Sequence, residues 1–354
     1  MTKAELDSIK ILPLEDSWYR KVKEKLDGIA KPLDGLGKFE HLIAQIGAIE
    51  KTTKISIQKK AVLVMCADNG VVEEQVSQSG KEVTLAVAKA MGVNNSSVGK
   101  MAAVAGVDVI PVDIGIDTDE VIPGVLPRKV AKGTKNFAKE PAMTEEEVLK
   151  AIETGIQLVQ QCHREGYEIL ATGEMGIGNT TTSTAVAAAL LDLEVEQLTG
   201  KGAGLTDEAL KRKCRVIEEA IEKYFLRDAD AFTILKTVGG LDIAGLTGVF
   251  IGAAIEQIPV IIDGVISAVA ALLAETLCKG AVNYMIPSHK SRELAETAIM
   301  KKLHLDPVLD ADMALGEGTG AVMMMSLLDV ALGVYLQGAS FANFEIEQYK
   351  RYEE

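Results

Sequence analysis

The sequence has little of what several functional classes of protein depend on. Aromatic residues make up only 4% of its 354 residues, too few for the stacking platforms of proteins that bind single-stranded nucleic acid. The 37 Lys and Arg residues are outnumbered by 51 Asp and Glu, and a net charge of -14 excludes the positive surface that non-specific nucleic-acid binding requires. The four cysteines and four histidines are scattered, so neither a zinc-binding spacing nor a disulfide framework is visible.

Long uninterrupted apolar runs are also missing. Charged side chains recur throughout the first 25 residues and leave no apolar stretch of signal-peptide length. The most apolar region, residues 241–278, is interrupted by Asp242, Glu256, Asp263 and Glu275. Buried helices and strands explain such a region better than a membrane span of about 20 apolar residues. We therefore expect a cytoplasmic protein that does not cross a membrane.

The remaining composition, 48% hydrophobic and 25% charged, is typical of a folded globular protein. Runs of β-branched residues that stop at Gly or Asp alternate with longer Ala-rich stretches at helical spacing. This alternation predicts an α/β fold with a mostly parallel, Rossmann-like sheet flanked by helices. The predicted strands are residues 61–67, 107–112, 168–172, 232–238 and 259–263.

The two ends of the chain have a helical pattern instead. Residues 1–55 precede the first predicted strand, and the segment after residue 290 includes a helical pattern over 320–337. We therefore predict a large α/β domain of residues 56–290 and a smaller helical domain of residues 1–55 plus 291–354. Because parallel sheets bind ligands beyond the carboxyl ends of their strands, we expect the chemistry at that edge.

A glycine-rich turn after the third predicted strand, residues 173–178, contains Glu174 and precedes an Ala-rich helix expected from about Thr184. The unpaired amides and the positive dipole end of such a helix suit a phosphate group. A well-capped turn without a ligand is the alternative interpretation. A carboxylate inside a phosphate-binding turn would repel the phosphate unless it contacted another part of the ligand. Glu174 is therefore predicted to contact a substrate ring or sugar.

A second glycine-rich turn, residues 315–320, contains Glu317 and opens another helix. Apolar residues around it, Met313, Leu315 and Met323, would desolvate its carboxylate and suit it to general-base chemistry. An ordinary loop is the alternative. The methionine run at 323–325 is interpreted as part of the core.

Two further segments combine hydroxyl groups or glycines with cations. Residues 200–205 precede a helix that carries Lys211, Arg212 and Lys213, and residues 288–293 include His289 and Ser291. In an acidic protein, such local cations are candidates for holding a phosphate. For Lys211 and Arg212, a solvated helix face is the alternative.

Taken in order, these segments resemble the nicotinate-nucleotide:dimethylbenzimidazole phosphoribosyltransferase family, which builds the lower-ligand nucleotide of cobamides. The resemblance covers nearly the whole chain. It rests on residues 31–32 with 36–37, 67–71, 83–84, 112–115, 173–182, 200–205, 239–245, 263–264, 288–291 and 316–320.

The resemblance implies a reaction in which a ring nitrogen of dimethylbenzimidazole, or of a similar base, displaces nicotinate from nicotinate mononucleotide. The product is an α-linked ribotide 5′-phosphate, and neither a metal nor another cofactor is implied. Glu317 matches the general base, and Glu174 matches its partner glutamate. The residues that match the phosphate and ribose site are Gly176, Gly178, Asn179, Thr180, Lys213 and Ser291, and those near the incoming base are Ser77, Gln78, Met175 and Leu315.

Several positions depart from the family pattern and leave the acceptor open. Asp34 is new in the first loop, Asn69 stands where the family commonly has His, and Asn94 lies in an altered segment. A second reading is the phenol- or p-cresol-specific subunit of a heterodimer, and a third is a catalytically silent nucleotide-binding partner subunit. A diphosphate-using phosphoribosyltransferase is disfavoured because no adjacent acidic pair follows a hydrophobic strand. The family resemblance favours a dimer, either a homodimer or a pair with a homologue.

Overall fold

The structure is a computed structural model that describes residues 1–200, 202 and 204–351. Within these residues the chain forms six β-strands and fourteen α-helices. The strands are β1 (Lys60–Ala67), β2 (Asp108–Gly115), β3 (Leu126–Pro127), β4 (Ile169–Met175), β5 (Val260–Ile262) and β6 (Met285–Pro287). The helices are α1 (Lys3–Ser8), α2 (Asp16–Asp27), α3 (Lys38–Ile49), α4 (Glu82–Gly92), α5 (Ser97–Ala105), α6 (Glu145–Arg164), α7 (Asn179–Leu191), α8 (Val195–Leu198), α9 (Asp207–Lys223), α10 (Ala231–Val238), α11 (Leu241–Glu256), α12 (Val265–Leu277), α13 (Leu294–Leu303) and α14 (Thr319–Gln337).

The strands form one parallel sheet in the order β3-β2-β1-β4-β5-β6. Strand β1 lies in the middle, where Ala61 is opposite Asp108 of β2 and Leu170 of β4. The predicted α/β fold with a mostly parallel sheet flanked by helices is therefore confirmed. The chain turns to opposite sides of β1 for β2 and β4, and this reversal leaves a crevice beyond the carboxyl ends of β1 and β4.

Helices cover both faces of the sheet, and β1 is buried along its whole length. Leu63 and Met65 belong to a hydrophobic cluster with α6, α11 and α12. Val62 and Val64 belong to a second cluster with α3 and α14. A strand between two cores needs no polar face, which explains why β1 is a continuous apolar run rather than an alternating one.

The predicted strand at residues 232–238 is wrong, because these residues form helix α10. Asp230 caps this helix by accepting a hydrogen bond from the backbone N–H of Thr233 at 3.0 Å. Periodicity alone does not distinguish a short buried helix from a buried strand, and the capping aspartate was the signal that sequence reasoning missed. The short edge strands β3 and β6 were not predicted.

The two ends of the chain contact each other. The Tyr335 hydroxyl of α14 donates to the carbonyl of Thr53 at 2.8 Å. Arg351 forms hydrogen-bonded ion pairs with Asp27 and Asp34, in which the four N···O distances are 2.7–2.9 Å. Asp34 has a left-handed backbone, with φ of 53°, and these contacts hold it in that conformation. The division into residues 56–290 and 1–55 plus 291–354 stays a prediction, and α14 shares a core with the sheet.

Helix α14 is the one helix of the described residues that is long and apolar enough to cross a membrane by length and composition alone. In the structure, 56% of its apolar window is buried inside the protein. Met324 and Met325 lie in the core as predicted, whereas Met323 is 39% exposed. Burial against the sheet accounts for the apolar residues on one face of this helix, whereas Val330 on another face is 74% exposed.

Candidate active site

A cavity of about 220 Å³ lies at the carboxyl end of the sheet. Four segments line it: the end of β4 with the start of α7, the β5–α12 turn, the loop after β6 and the turn before α14. The cavity therefore lies along the predicted edge of the sheet, and both glycine-rich turns with their glutamates contribute to it. The predicted site residues in its lining are Glu174, Met175, Gly176, Asn179, Thr180, Ser291, Leu315 and Glu317.

Helix α7 begins directly at the end of the first glycine-rich turn. Its first residue is Asn179, five positions earlier than the expected start at Thr184. The N-cap is Gly178, whose φ of 93° suits a residue without a side chain, and no side chain caps the helix. First-turn amides without a side-chain cap favour an anionic ligand, so the start of α7 suits a phosphate.

Glu174 is a buried carboxyl group in the last-but-one position of β4. It accepts a hydrogen bond from the side-chain amide of Asn179, and the same amide nitrogen donates to Asp242 at 3.0 Å. Burial raises the pKa of Glu174 to about 8, and the charge of Asp242 contributes. Burial raises the pKa of Asp242 to about 6. Of this pair, burial and the neighbouring charge therefore favour the protonated form of Glu174 more strongly than that of Asp242.

Glu317 lies in a turn that is pressed against β4. A Cβ atom on Gly173 would lie 2.5 Å from the Glu317 carbonyl oxygen, and one on Gly316 would lie 2.6 Å from Glu174 Oε1. The two predicted turns are therefore neighbours. The φ of Glu317 is 62°, a left-handed conformation that costs roughly 1–3 kcal/mol for a residue with a side chain. Such a conformation persists only where the surrounding structure holds it.

The Glu317 carboxylate is held by a helix rather than by apolar side chains. Its Oε2 accepts a hydrogen bond from the backbone N–H of Val98, in the first turn of α5, at 3.0 Å. The positive end of a helix stabilises a negative charge at this position. The expected apolar surroundings are largely open, because Leu315 is 54% and Met323 39% exposed and Met313 is only partly buried.

Lys213, on α9, is a fully buried cation beside the cavity. Its Nζ donates to Thr180 Oγ1 at 2.9 Å and to the Gly200 carbonyl at 3.4 Å. Among the described residues these neutral oxygens are its hydrogen-bond partners, and burial lowers the pKa of Lys213 to about 8. Arg212 donates to Gln75 Oε1 at 2.9 Å, away from this cation. Of the predicted segment 200–205, Lys201 and Ala203 lie outside the described residues.

Two residues expected near the incoming base are not in the cavity lining, namely Ser77 and Gln78. Gln78 Nε2 donates to the carbonyl of Gly204, and Ser77 Oγ accepts from the backbone N–H of Ser79 at 3.3 Å. The substituted Asn69 is buried, and its Nδ2 donates to the Ile177 carbonyl at 3.5 Å. The structure thus brings both glutamates and most of the predicted phosphate-site residues to one cavity, whereas Ser77 and Gln78, which were assigned to the incoming base, lie outside its lining.

Sequence reasoning gave no individual role to Asp263, Ser267 and Glu293 of the cavity lining, and it included His289 only in the cationic segment 288–293. Asp263 follows β5, His289 follows β6, and Glu293 lies in the loop before α13. His289 Nδ1 lies 2.9 Å from Ser288 Oγ, and burial lowers the pKa of this imidazole. Strand ends were the signal that pointed to Asp263, since it closes an apolar run at the carboxyl edge of the sheet.

A family model of phosphoribosyltransferases matches residues 11–346 of the chain. The chain belongs to this phosphoribosyltransferase family. It is 45% identical over 329 residues to the nicotinate-nucleotide–dimethylbenzimidazole phosphoribosyltransferase of Acetivibrio thermocellus. This match covers 93% of this chain and 94% of that relative. It is 43% identical over 337 residues to the enzyme of the same name from Clostridium acetobutylicum. That match covers 95% of this chain and 96% of that relative.

The phosphoribosyltransferase fold of the chain is also found in a solved structure. The crystal structure of the nicotinate-nucleotide–dimethylbenzimidazole phosphoribosyltransferase from Thermus thermophilus superposes with a TM-score of 0.88 at 32% identity. The match covers 95% of this chain and 100% of that structure. The predicted family is therefore confirmed over nearly the whole chain, and with it the class of enzyme, a glycosyltransferase that transfers a pentosyl group.

The buried carboxyl groups of this phosphoribosyltransferase predict an unusual pH dependence of stability. Burial raises the pKa of Glu50, Glu174 and Glu296 to about 8 and that of Asp263 to about 7, whereas unfolded carboxyls have a pKa near 4. Between about pH 4 and pH 8 the folded state therefore binds more protons than the unfolded state. We expect the free energy of unfolding to fall as the pH rises through this range.

Glu50→Gln tests this prediction away from the cavity, because glutamine cannot ionise. Urea unfolding of both proteins at pH 5, 6, 7 and 8 gives the two pH profiles. The variant should lose less stability than the wild-type protein between pH 5 and pH 8. Parallel profiles would show that Glu50 does not titrate in this range.

Proposed function

We propose that the protein transfers the 5-phosphoribosyl group of nicotinate mononucleotide to dimethylbenzimidazole or a similar lower-ligand base, in cobamide biosynthesis in the cytoplasm. The observation that carries this proposal is the meeting of the Glu174 and Glu317 turns beside the buried cation Lys213. The names of the relatives in Acetivibrio and Clostridium supply the donor and the acceptor. The reaction needs no resident cofactor.

The phosphate end of the donor is assigned to the start of α7. First-turn amides of α7, the Thr180 hydroxyl, Lys213 and Ser291 surround this end of the cavity. A buried lysine that is hydrogen-bonded to neutral oxygens is ready to pair with an anion, and a helix N-terminus adds donors of fixed direction. Gly176 and Gly178 let the backbone approach the phosphate and ribose closely.

The chemistry then needs one base. The bond between C1′ of the ribose and the nicotinate nitrogen breaks, and its electron pair returns to a pyridine nitrogen that leaves neutral. The unprotonated ring nitrogen of the acceptor donates its lone pair to form the new bond to C1′ from the opposite face, and the proton on the other ring nitrogen passes to Glu317, which leaves the product ring neutral. One Glu317 oxygen is held by Val98, so the second oxygen is assigned the proton. Such general-base help contributes roughly 10²–10⁴-fold in rate.

Glu174 has a different role in this proposal. Because its carboxyl group is protonated near neutral pH, it donates a hydrogen bond to the substrate rather than competing with Glu317 as a base. The pyridinium leaving group requires no general acid. Positioning of the two rings on opposite faces of the ribose supplies the rest of the acceleration. Met175 and Leu315 are assigned to the acceptor end of the cavity.

A dimer is also part of the proposal. Helices α5 and α14 present apolar side chains to solvent, including Val104, which is 91% exposed, and Val330, which is 74% exposed. A contiguous apolar patch on a soluble protein marks an interaction surface.

The test is product analysis by mass spectrometry. The purified protein is incubated with nicotinate mononucleotide and an equimolar mixture of dimethylbenzimidazole, adenine, phenol and p-cresol. We expect release of nicotinate together with the dimethylbenzimidazole ribotide phosphate. Phenolic ribotides would overturn the acceptor assignment and favour the phenol-specific reading. Absence of every ribotide would overturn the proposed transfer by this chain alone.

A further inference from the structure

We propose that Asp263 is a positioning residue for Glu317, which it holds in a reactive orientation by capping helix α14 from the end of β5. This inference rests on the proposed role of Glu317 as the general base. In this role the buried Asp263 carboxylate affects the reaction through Glu317 and not through a contact with the substrate.

The first observation is the set of hydrogen bonds that Asp263 accepts. Its Oδ2 accepts from the backbone N–H of Gly318 at 3.2 Å, and its Oδ1 accepts from that of Ala321 at 3.0 Å. The side chain is buried, with 2% exposed. Both carboxylate oxygens are therefore occupied by the first turn of one helix. The residue that follows β5 thus fixes where α14 begins.

The second observation is that α14 has no cap of its own. Its N-cap is Gly318, which has no side chain with which to satisfy the first-turn amides. A helix N-terminus inside a protein needs acceptors for these N–H groups. Asp263 supplies these acceptors from the turn after β5. The start of α14 is therefore attached to the sheet, and Glu317 lies directly before this attachment.

The third observation is the conformation of Glu317 itself. This residue is left-handed at φ of 62°, and the residue after it is the one whose N–H Asp263 accepts. Within the turn, the Thr319 N–H donates to the Gly316 carbonyl at 3.1 Å. Without Asp263, one of the contacts that keep Glu317 left-handed is lost, and the backbone relaxes toward an ordinary conformation. The Glu317 carboxylate then moves from Val98 and from the acceptor.

The alternative is that Asp263 contacts the substrate directly, because it also lines the cavity. The two roles differ in how mutations combine. A residue that acts through Glu317 has no further effect once Glu317 cannot act as a base. A residue with its own substrate contact has an effect that multiplies with that of Glu317.

The experiment compares Asp263→Ala, Glu317→Gln and the double variant in the transferase assay. We expect Asp263→Ala to lower kcat on the order of 10²-fold, since a displacement of about 1 Å can have that effect. KM for nicotinate mononucleotide should change by less than about twofold, because the phosphate end is untouched. The double variant should be no slower than Glu317→Gln alone. Asp263→Asn, which keeps one acceptor oxygen, should recover part of the lost kcat.

Asp230→Ala is the matched control for loss of a capping carboxylate. Asp230 caps α10 through Thr233, outside the cavity lining, so this variant should lower Tm without lowering kcat. Calorimetric binding of nicotinate mononucleotide by Asp263→Ala shows that the variant is folded with its donor site intact. Loss of that binding would overturn the positioning role, because the defect would then extend beyond Glu317.

The outcomes separate this inference from the proposed function. If the double variant is slower than Glu317→Gln by the full factor of Asp263→Ala, Asp263 acts on its own and the positioning role is wrong, while the transferase assignment stands. If Glu317→Gln retains wild-type kcat, the general-base assignment fails and this inference fails with it. If Asp263→Ala retains wild-type kcat, only the positioning role is overturned.

Discussion

Replacement of Glu317 by glutamine is expected to lower kcat by roughly 10²–10⁴-fold, the usual contribution of a positioned general base. The substitution keeps the shape of the side chain and an oxygen that accepts from the Val98 N–H, but it removes the carboxylate that takes the acceptor's proton. KM for nicotinate mononucleotide should stay nearly unchanged, because the proposal assigns the phosphate to Lys213 and the start of α7 and not to Glu317. Initial rates at varied donor concentration give both constants.

Two further measurements make this expectation specific. A pre-ionised acceptor or a higher pH should rescue part of the lost kcat, because a nucleophile that has already lost its proton needs no base. Glu293→Gln replaces another carboxylate of the cavity lining and should leave kcat higher than Glu317→Gln does. If Glu317→Gln retained wild-type kcat, Glu317 would not be the general base, and another group would have to accept the proton.

Replacement of Lys213 by methionine is expected to raise KM for nicotinate mononucleotide by roughly 10- to 100-fold, the effect of losing a charged hydrogen bond to the phosphate. It should also raise Tm of the unliganded protein. Lys213 is fully buried, and burial lowers its pKa to about 8, which shows that the site disfavours its charge. Methionine fills a similar volume without that charge, so stability and affinity should change in opposite directions.

Lys60 provides the matched control for a buried lysine. Its side chain is 7% exposed, and its ammonium forms an ion pair with Asp329, away from the cavity. Lys60→Met should therefore lower Tm, because it leaves a carboxylate unpaired, and it should leave KM unchanged. Steady-state kinetics and thermal unfolding of both variants supply the comparison. A fall in Tm with unchanged KM for Lys213→Met would refute the anion-binding role.

The parts that sequence predicted well are those that depend on neighbouring residues. The glycine-rich turns around Glu174 and Glu317 are local patterns, and parallel strands necessarily place their carboxyl ends at one edge. That combination placed the Glu174 turn at the carboxyl edge of the sheet, whereas the pairing of Glu174 with Glu317 came from the family resemblance. The apolar run at residues 232–238 failed because its helical state depends on tertiary packing and on the Asp230 cap, not on its composition.

The contacts that sequence did not predict link elements far apart in the chain. Asp242 and Asp263 are single acids inside an apolar stretch, and a spacing rule does not show that one shares the Asn179 amide and the other caps α14. The surroundings of Glu317 were misjudged for the same reason, since the N-terminus of α5 comes from residues more than 200 positions earlier. Long-range hydrogen bonds leave no local pattern in the sequence.

The central position of β1 has a consequence for how the chain folds. This strand is synthesised first among the six, yet it pairs with β4 about 100 residues later, and one of its cores is completed only by α14 near the end of the chain. Pairings over such separations must overcome loop-closure entropy before they are stabilised, which slows folding. A nascent chain therefore carries an apolar strand that has no partner until β2 is made and that lacks β4 until about half of the chain is made. Chaperone binding during translation would be concentrated on this strand.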